Sequence, residues 1–458
     1  MRGRKRNPHC RGPGVIADPV DQSDARRYST VALSWRLLMD PMVMHDPYEA
    51  FRHGSFRLFA ASYVLATVGS QVLAATVQWD VYQQTKDPLA IGIVGLINAI
   101  PIILLALPAG HVADRFCRKH VLLLTQVPLT AAPAVLALFH FWNPQGVPLI
   151  VTYSLLGLNS VALTFARPTR ASILPNLVPR SVYPNAFAWT SSLFETAAWI
   201  GPAVSGVMIV FGVKWSYLVS ALCLMACLLI TLFLPRDTPS EPTKHESDWR
   251  TLSAGLRFVF GSPLLLAAMT LDLLAVLLGG ATFLMPVFAE RLGVGSIGYG
   301  WMRAAPALGA CAMAVLQAHR PPIATAGRTL LWSVATFGAT TIVFGLSQNY
   351  WLSLTMLVLI GASDNISVVI RQTLVHSLTP NSMRGRVSAV NQVFIGASNE
   401  LGGLESGVTA TLFGPVLSVV GGGLGTLLVV LGVAGKWPQI RRLRSLRDLK
   451  PANETSVF

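Results

Sequence analysis

Charged residues are scarce in this chain. Asp, Glu, Lys and Arg make up 12% of its 458 residues, whereas hydrophobic residues make up 52%. Soluble domains carry charge on about a quarter of their residues. The shortage therefore excludes an ordinary soluble protein. Because a helix satisfies its own backbone hydrogen bonds in lipid, the expected fold class is an all-α membrane protein.

Motifs for bound metals, redox groups and nucleotides are also missing from the sequence. Its five cysteines form no CxxC pair and have no clustered histidines beside them. It has no HExxH zinc motif, and no GxxxxGK phosphate-binding loop precedes a helix. We therefore expect no metal site, no cofactor, no enzymatic activity and no transport driven by ATP within this chain.

Long apolar runs are what the sequence does contain. A membrane-spanning helix needs roughly 20 mostly apolar residues. Such runs, bounded by charges, prolines or Asn-Pro turns, predict twelve transmembrane helices, numbered 1 to 12 in this section. They lie near residues 57–81, 88–110, 120–142, 147–166, 186–211, 215–234, 263–288, 297–318, 328–346, 350–368, 387–412 and 415–435.

The basic residues predict the orientation of these helices. Cytoplasmic loops collect Lys and Arg. If the N-terminus is cytoplasmic, the opposite loops hold only Lys86, Lys214 and Arg291, with Arg303 near one end of helix 8. Both termini are therefore expected in the cytoplasm. The net charge of +14 follows from this topology and from anionic lipid headgroups, so we expect membrane lipids, and no nucleic acid, as partners.

The sequence divides into five predicted segments. They are a basic, disordered cytoplasmic extension (1–55), a six-helix half (56–235), a cytoplasmic linker with a short amphipathic segment (236–262), a second six-helix half (263–435) and a basic cytoplasmic tail (436–458). The extension has no apolar core of the length that a signal peptide needs. An alternative interpretation is that translation starts at Met42 or Met44.

An internal repeat relates the two halves. At a constant offset of 201 residues, Arg170 aligns with Arg371, Gly201 with Gly402, and the triplet Ser205 to Val207 with a second Ser-Gly-Val beginning at Ser406. Parallel repeats of this kind are typical of secondary transporters, whose halves rock about a site near the middle of the membrane.

The loop between helices 2 and 3 reads GHVADRFCRK. This loop resembles the signature of the major facilitator superfamily, with Gly110, Asp114, Arg115, Arg118 and Lys119 at signature positions. Cys117 departs from it, because the signature has glycine there. The stretches VYQQTKDPLAIGIVGLINAIPIILLALPAG, TPNSMRGRVSAVNQVFIGASNELGGLESG and RFVF resemble a subgroup of bacterial exporters that includes the enterobactin exporter and macrolide efflux pumps. The resemblance covers roughly residues 55–435.

The resemblance implies two functional motifs. The charged loop is expected to act as a latch, with Asp114 against the start of helix 11 near Arg384 and Arg386 when the cytoplasmic side is closed. The alternative is an anchor that only fixes topology. Helix 5 resembles the antiporter pattern of the superfamily through Gly201, Pro202 and Gly206, and the alternative there is ordinary packing of small residues.

Ionisable groups at membrane depth are costly, and each is a candidate functional residue. A carboxyl group in such surroundings can take and release a proton near neutral pH. We favour Glu195 and Glu400 as proton carriers, then Asp272, and expect Asp80 at the outer rim. The full set of candidate proton or substrate residues is Glu195, Asp272, Asn399, Glu400, Glu405, Asp364 and Gln71.

These observations predict a proton-coupled exporter (antiporter) of a small amphipathic organic molecule, either drug-like or siderophore-like, that works by alternating access. Proton-coupled uptake by symport is one alternative, and a non-transporting sensor or membrane-embedded enzyme is another. The resemblance implies a monomer in the inner membrane of a bacterial cell. Its partners are expected to be the small-molecule substrate, protons and lipids.

Overall fold

The computed structural model describes residues 46–143, 146–235, 249–280, 282–320, 325–380 and 383–443. The chain forms two compact units, Met1–Glu49 and Ala50–Phe458. The predicted extension lies mainly outside the described residues, as does most of the predicted tail. Throughout the described part, the regular structure is helical and no strand is present.

Six long helices form the first half. Their ends follow local signals, since Asp87 caps the second helix by accepting a hydrogen bond from the Leu89 N–H (2.9 Å), and Lys86 ends the first in the left-handed region at φ 53°. The helices are α1 (Gly54–Thr85), α2 (Pro88–Arg115), α3 (Arg118–Trp142), α4 (Leu149–Ile173), α5 (Tyr183–Val210) and α6 (Val213–Leu232).

The remaining helices belong to the linker and the second half. The linker contains α7 (Trp249–Gly261), and a short helix, α15 (Pro438–Arg442), follows the last long one. The second half consists of α8 (Pro263–Leu278), α9 (Met285–Arg291), α10 (Gly295–Ala318), α11 (Ala326–Leu346), α12 (Tyr350–Leu378), α13 (Arg384–Phe413) and α14 (Pro415–Lys436).

Three helix ends differ from those predicted by more than about five residues. The fourth helix, predicted over 147–166, continues to Ile173. The tenth predicted helix was ended at residue 368 because a base follows, but α12 continues to Leu378. The seventh was predicted as one helix, but α8 ends at Leu278 before the pair Gly279 and Gly280. A Cβ atom at Gly280 would lie only 2.5 Å from the carbonyl oxygen of Gly402, so glycine allows α8 to end in close contact with α13.

Nine helices of the described chain are long and apolar enough to cross a membrane, or ten if α7 and α8 are counted as one span bent by 102°. The helices α10 and α13 are long enough, at 24 and 30 residues, but they are not apolar enough to be included in this count. The count of twelve therefore stays a prediction.

The two halves contact each other mainly through α2 with α13 and α5 with α10. We call the end of the bundle at which α1 passes into α2 the far end. The opposite end, where α1 begins and α14 finishes, is the basic end, because the charged loop predicted over residues 110–119, which here ends α2 and begins α3, lies there. One hydrophobic cluster, with Trp79, Phe288 and Tyr299 among its members, joins both halves at the far end, whereas separate clusters fill each half elsewhere.

Candidate transport site

Glycines bring the two halves together toward the far end. A Cβ atom on Gly206 of α5 would lie 2.8 Å from the Cα of Gly300 in α10, and one on Gly407 of α13 would lie 2.8 Å from the Cα of Gly92 in α2. The helices therefore cross backbone to backbone. Because Gly206 and Gly407 are equivalent in the repeat, each half makes the same contact once. We call these two crossings the glycine seam.

The other pair of repeated glycines packs within each half. A Cβ atom on Gly201 would lie 2.5 Å from the Cβ of Gln71 in α1, and one on Gly402 would lie 2.9 Å from the Val276 carbonyl oxygen in α8. Pro202 is buried in α5, and its carbonyl faces Gly300. Thus Pro202 and Gly206 contact the other half, whereas Gly201 and Gln71 hold α5 against α1.

Polar contacts reinforce the closure of the far end. The Lys86 ammonium lies 2.8 Å from Glu290 Oε1 of the other half. The Thr411 hydroxyl donates to Asp87 Oδ1 at 3.0 Å, and the Tyr299 hydroxyl donates to the Ala75 carbonyl at 2.8 Å. The Lys86 ammonium holds the pKa of Glu290 below its usual value.

The halves separate toward the basic end. A Cβ atom added to Gly110 or Gly385 would meet nothing within 4 Å. Asp114 and Arg115 are exposed, and Asp114 has no hydrogen-bond or ion-pair partner among the described residues. The charged loop is therefore not engaged as a latch in this conformation, and the space between the halves opens at this end.

Other residues of the charged loop hold the first half together. The Lys119 ammonium donates to the carbonyls of Leu232 and Leu234 at the end of α6, at 2.7 and 2.6 Å. Arg118 begins α3. Cys117 adopts φ −57°, a value open to any residue, so the missing signature glycine does not strain this turn.

Two of the candidate acids, one in each half, lie close to the opposite half. We call the space between the two halves the central space. Glu400 of α13 accepts a hydrogen bond from Asn98 of α2 at 3.3 Å and lies within the electrostatic reach of Arg167. Glu195 of α5 lies within electrostatic reach of Tyr63 in its own half and of Asp364 in the other half. This space therefore carries acids on both walls.

The candidates Asn399 and Glu405 make only local contacts on α13. The Asn399 amide donates to the Ile395 carbonyl one turn earlier, at 2.8 Å, and is exposed. Glu405 accepts from the neighbouring Ser406 hydroxyl at 3.4 Å. Neither side chain bridges the halves in this conformation.

A buried ionic cluster lies inside the second half. The Arg371 guanidinium of α12 forms an ion pair with Asp272 of α8, and both side chains are more than nine-tenths buried. Asp364, seven residues before Arg371 on the same helix, lies within electrostatic reach of both. A small cavity borders both carboxylates. We call these three residues the acid–arginine triad.

Arg371 is the functional candidate that the sequence interpretation missed. Arg371 follows the tenth apolar run, and Arg167 and Arg170 follow the fourth. The sequence pattern therefore predicts all three as bases of cytoplasmic loops. All three lie within helices, α4 or α12. The signal that points to them is the repeat itself, since Arg170 and Arg371 are aligned at the same offset as the glycines.

Asp80 is buried rather than placed at the outer rim. Its carboxylate accepts from the Tyr217 hydroxyl at 2.9 Å and from the Gln84 amide at 2.9 Å, and lies 3.3 Å from His140 Nε2. These partners come from α1, α3 and α6. The cluster lies within the first half, away from the space between the halves.

Acids, cysteines and histidines do not gather into a metal site in the part of the chain that the structure describes. Cys223 and Cys227 lie on α6, and Cys227 is buried among apolar residues.

Comparison with known proteins places the chain among membrane transporters. Residues 45–454 match the family described as transmembrane secretion effector. The chain is 25% identical over 407 residues to the enterobactin exporter EntS of Escherichia coli (strain SMS-3-5 / SECEC), covering 88% of this chain and 96% of that protein. It is also 25% identical to the enterobactin exporter EntS of Shigella boydii serotype 18 (strain CDC 3083-94 / BS512), over 86% of this chain and 94% of that one.

Solved structures share the fold. The nucleoside transporter NupG superposes with a TM-score of 0.65 at 16% identity, covering 84% of this chain and 99% of its own. A POT family transporter in complex with 5-aminolevulinic acid superposes with a TM-score of 0.66 at 13% identity, covering 85% and 97%. These relatives are transporters and not enzymes. The chain belongs to the transmembrane secretion effector family and is a membrane transporter of the major facilitator type.

Proposed function

We propose that this protein is a secondary active exporter that exchanges protons for a small amphipathic organic molecule by alternating access. The observation that carries the proposal is the asymmetry of the space between the halves. It is closed toward the far end by the glycine seam and open toward the basic end, and it has Glu195 on one wall and Glu400 on the other.

The direction of transport is supported by the relatives. The relatives at 25% identity are enterobactin exporters, and we retain a siderophore-like molecule as the first substrate class. A drug-like substrate is the second class that we retain. The Gly201, Pro202 and Gly206 pattern, at helix crossings of α5, also supports antiport over symport.

The proposal includes an orientation. The basic end faces the cytoplasm, both termini are cytoplasmic, and the chain forms twelve membrane-spanning segments if α8 with α9, α10 and α13 are each counted as one. We also propose a monomer in the inner membrane of a bacterial cell, with lipid phosphates around the bases of the charged loop. No nucleic acid is expected to bind. In this orientation, the described conformation is open to the cytoplasm, the side from which an exporter loads.

Everted membrane vesicles, acidified inside by respiration, test the proposal. Enterobactin, erythromycin and ethidium serve as probes, with vesicles from a strain that lacks the gene as control. We expect at least one probe to accumulate in the vesicles and a protonophore to abolish its accumulation. Accumulation in right-side-out vesicles alone would instead indicate symport. The absence of accumulation of any probe in either orientation would overturn the proposal.

The substitutions Glu195→Gln and Glu400→Gln test the acids of the central space. Both keep the size of the side chain and remove its charge. We expect each to lower probe accumulation at least tenfold if it binds substrate or carries protons. If both variants transport like the wild type, these two acids have no part in the cycle.

A further inference from the structure

The acid–arginine triad holds one more acid than base. When Asp272 and Asp364 are both ionised, Arg371 balances only one of them. The side chain of Arg371 is 2% exposed and that of Asp272 is 9% exposed. An uncompensated charge in such surroundings is strongly disfavoured. One added proton makes the triad neutral.

The positions of the three residues on their helices assign the proton to one carboxyl group. Arg371 pairs with Asp272 across the contact between α12 and α8. Asp364 and Arg371 lie seven residues apart, two turns on one face of α12, and helix side chains lean toward the N-terminus, so that Arg371 leans toward Asp364. Asp272 thus has the close cation, and Asp364 is left as the acid that needs a proton.

A small cavity borders Asp364 and places other polar groups near it. Besides the two carboxylates, the Ser363 and Ser367 hydroxyls line it, with Phe337 and Val276 on its apolar side. Asp364 itself is only half-buried. The Nε atom of Arg371 is buried and has no hydrogen-bond partner among the described residues, so the pair with Asp272 does not use the whole guanidinium.

The charged groups on neighbouring elements do not balance the triad. Glu195 of α5 adds negative charge beside Asp364. Glu400 on α13 is compensated by Arg167 and Arg303 and is bound to Asn98. Glu405 on α13 is a further acid. The helices α11 and α14 carry only Arg328 and Lys436, both at the basic end.

We propose that the triad carries the coupling proton of this transporter, with Asp364 as the group that is protonated and Arg371 as a positioning residue. An O–H bond forms when the Asp364 carboxylate takes a proton from the far side, and the same bond breaks when the proton is released on the basic side. Arg371 remains protonated throughout and stays paired with Asp272. This inference rests on the proposed function, because it identifies the proton site within that exchange.

Infrared spectroscopy of the purified full-length protein in lipid tests the site without any substrate. A protonated carboxyl group has a carbonyl stretch that a carboxylate lacks. We expect the wild type to lose one such band as pH rises, and Asp364→Asn and Asp272→Asn to lack it. Asp272→Asn frees Arg371 to pair with Asp364, which then stays ionised. In Arg371→Gln, the band should persist to a higher pH, at which the proton concentration is at least tenfold lower than where the wild type loses it. Arg371→Lys should largely restore the wild-type titration.

The matched control is Asp80→Asn, which changes a buried carboxylate of the other half. It should keep the triad's band. Loss of the band in this variant, or its persistence in Asp364→Asn, would overturn the inference.

Transport assays separate this inference from the proposed function. With enterobactin, erythromycin and ethidium as probes, Asp364→Asn should lower gradient-driven accumulation at least tenfold while the exchange of a preloaded probe continues. If the wild type moves none of the three probes but the band behaves as described, the proposed function fails and the triad is supported as a proton site. If a proton gradient drives probe accumulation equally well in the wild type and in Asp364→Asn, the triad inference fails and the proposed function stands.

Discussion

Gly206 and Gly407 set how closely the two halves can approach. Each meets a glycine of the opposite half at a distance that admits no Cβ atom. The repeat places them at matching positions, so the seam has two equal contacts. A glycine in the middle of a helix costs stability relative to alanine, and this close approach is the structural reason for its presence here.

A methyl group at Gly206 should therefore open the far end. In Gly206→Ala, the new Cβ atom would lie 2.6 Å from the Ser296 carbonyl oxygen. Overpacking of this kind costs about 1–3 kcal/mol, enough to shift a two-state ratio roughly fivefold or more. Distances between spin labels at positions 211 and 348, on opposite halves, should lengthen.

The control for this substitution is Gly421→Ala, because a Cβ atom at Gly421 would meet nothing within 4 Å. It should leave the label distances unchanged. If Gly206→Ala behaves like the control, the glycine seam does not limit the approach of the halves.

The Lys86 to Glu290 ion pair should make closure of the far end dependent on pH. Because the pKa of Glu290 is lowered below its ordinary 4.5, the stabilisation is fully present above pH 4.5 and is lost as pH falls through the lowered pKa. Both side chains are nearly half exposed, so the pair contributes at most about 1 kcal/mol. The labels at positions 211 and 348 should report opening upon acidification, and Glu290→Gln should remove that dependence.

Single residues also mark the limit of what the sequence could predict. The glycine positions were identified from the repeat because glycine leaves an unmistakable pattern. Arg371 was misassigned because a base after an apolar run resembles a loop anchor, and only its partner Asp272, far away in sequence, explains how it can be buried. The burial of Asp80 could not be predicted for the same reason, since Tyr217 and His140 come from other helices.

Helices α1, α3 and α6 are tied together by the Asp80 cluster. Removing its acceptor should destabilise the first half. In Asp80→Ala, the buried Tyr217 hydroxyl loses the carboxylate to which it donates at 2.9 Å, at a cost of about 1–3 kcal/mol. Thermal unfolding of the purified protein should show a lower midpoint.

The double variant Asp80→Ala with Tyr217→Phe is the control for the hydrogen bond. It removes both partners, so part of the loss should be recovered. Tyr217→Phe alone lowers the stability by some amount. If adding it to Asp80→Ala lowers the stability by that same amount, the two side chains contribute independently and the cluster is not a unit.

Helix existence was predicted better than helix continuity. The apolar runs located all the long helices to within a few residues at most ends. The break after Leu278 was missed, because hydropathy cannot distinguish a glycine pair inside a continuous helix from one that ends it. The contact of Gly280 with α13 decides this, and it depends on packing in three dimensions.

The proposed alternating-access cycle needs two conformations of the whole molecule, and the structure describes one conformation. The charged loop illustrates this point. The latch hypothesis assigns Asp114 a partner only when the basic end is closed, and here that end is open and Asp114 is exposed. The sequence could suggest the contact from the signature, but it could not indicate which conformation the chain adopts.

Neutralising Asp114 should favour the described conformation. If the carboxylate binds the start of α13 when the basic end closes, Asp114→Asn destabilises only that closed state. A charge at a helix N-terminus contributes about 0.3–1 kcal/mol, so a shift of up to roughly fivefold is expected. Spin labels at positions 180 and 376, on opposite halves at the basic end, measure it.

Arg328→Gln provides the comparison, since it removes an exposed charge at the same end but outside the loop. It should leave the distance between positions 180 and 376 unchanged. Equal distances in Asp114→Asn and the wild type would support the topology-anchor interpretation instead.

The glycine seam lies near one end of the helices, so a small rotation of one half at the seam moves the opposite end of that half a long way. Gly92 and Asp114 lie 22 residues apart on α2, which corresponds to about 33 Å of helix. A rotation of about 10° at the seam would displace the charged loop by roughly 6 Å. The opening at the basic end can therefore widen or narrow while the glycines hardly move. The displacement caused by an added methyl group at the seam would be severalfold larger at the basic end.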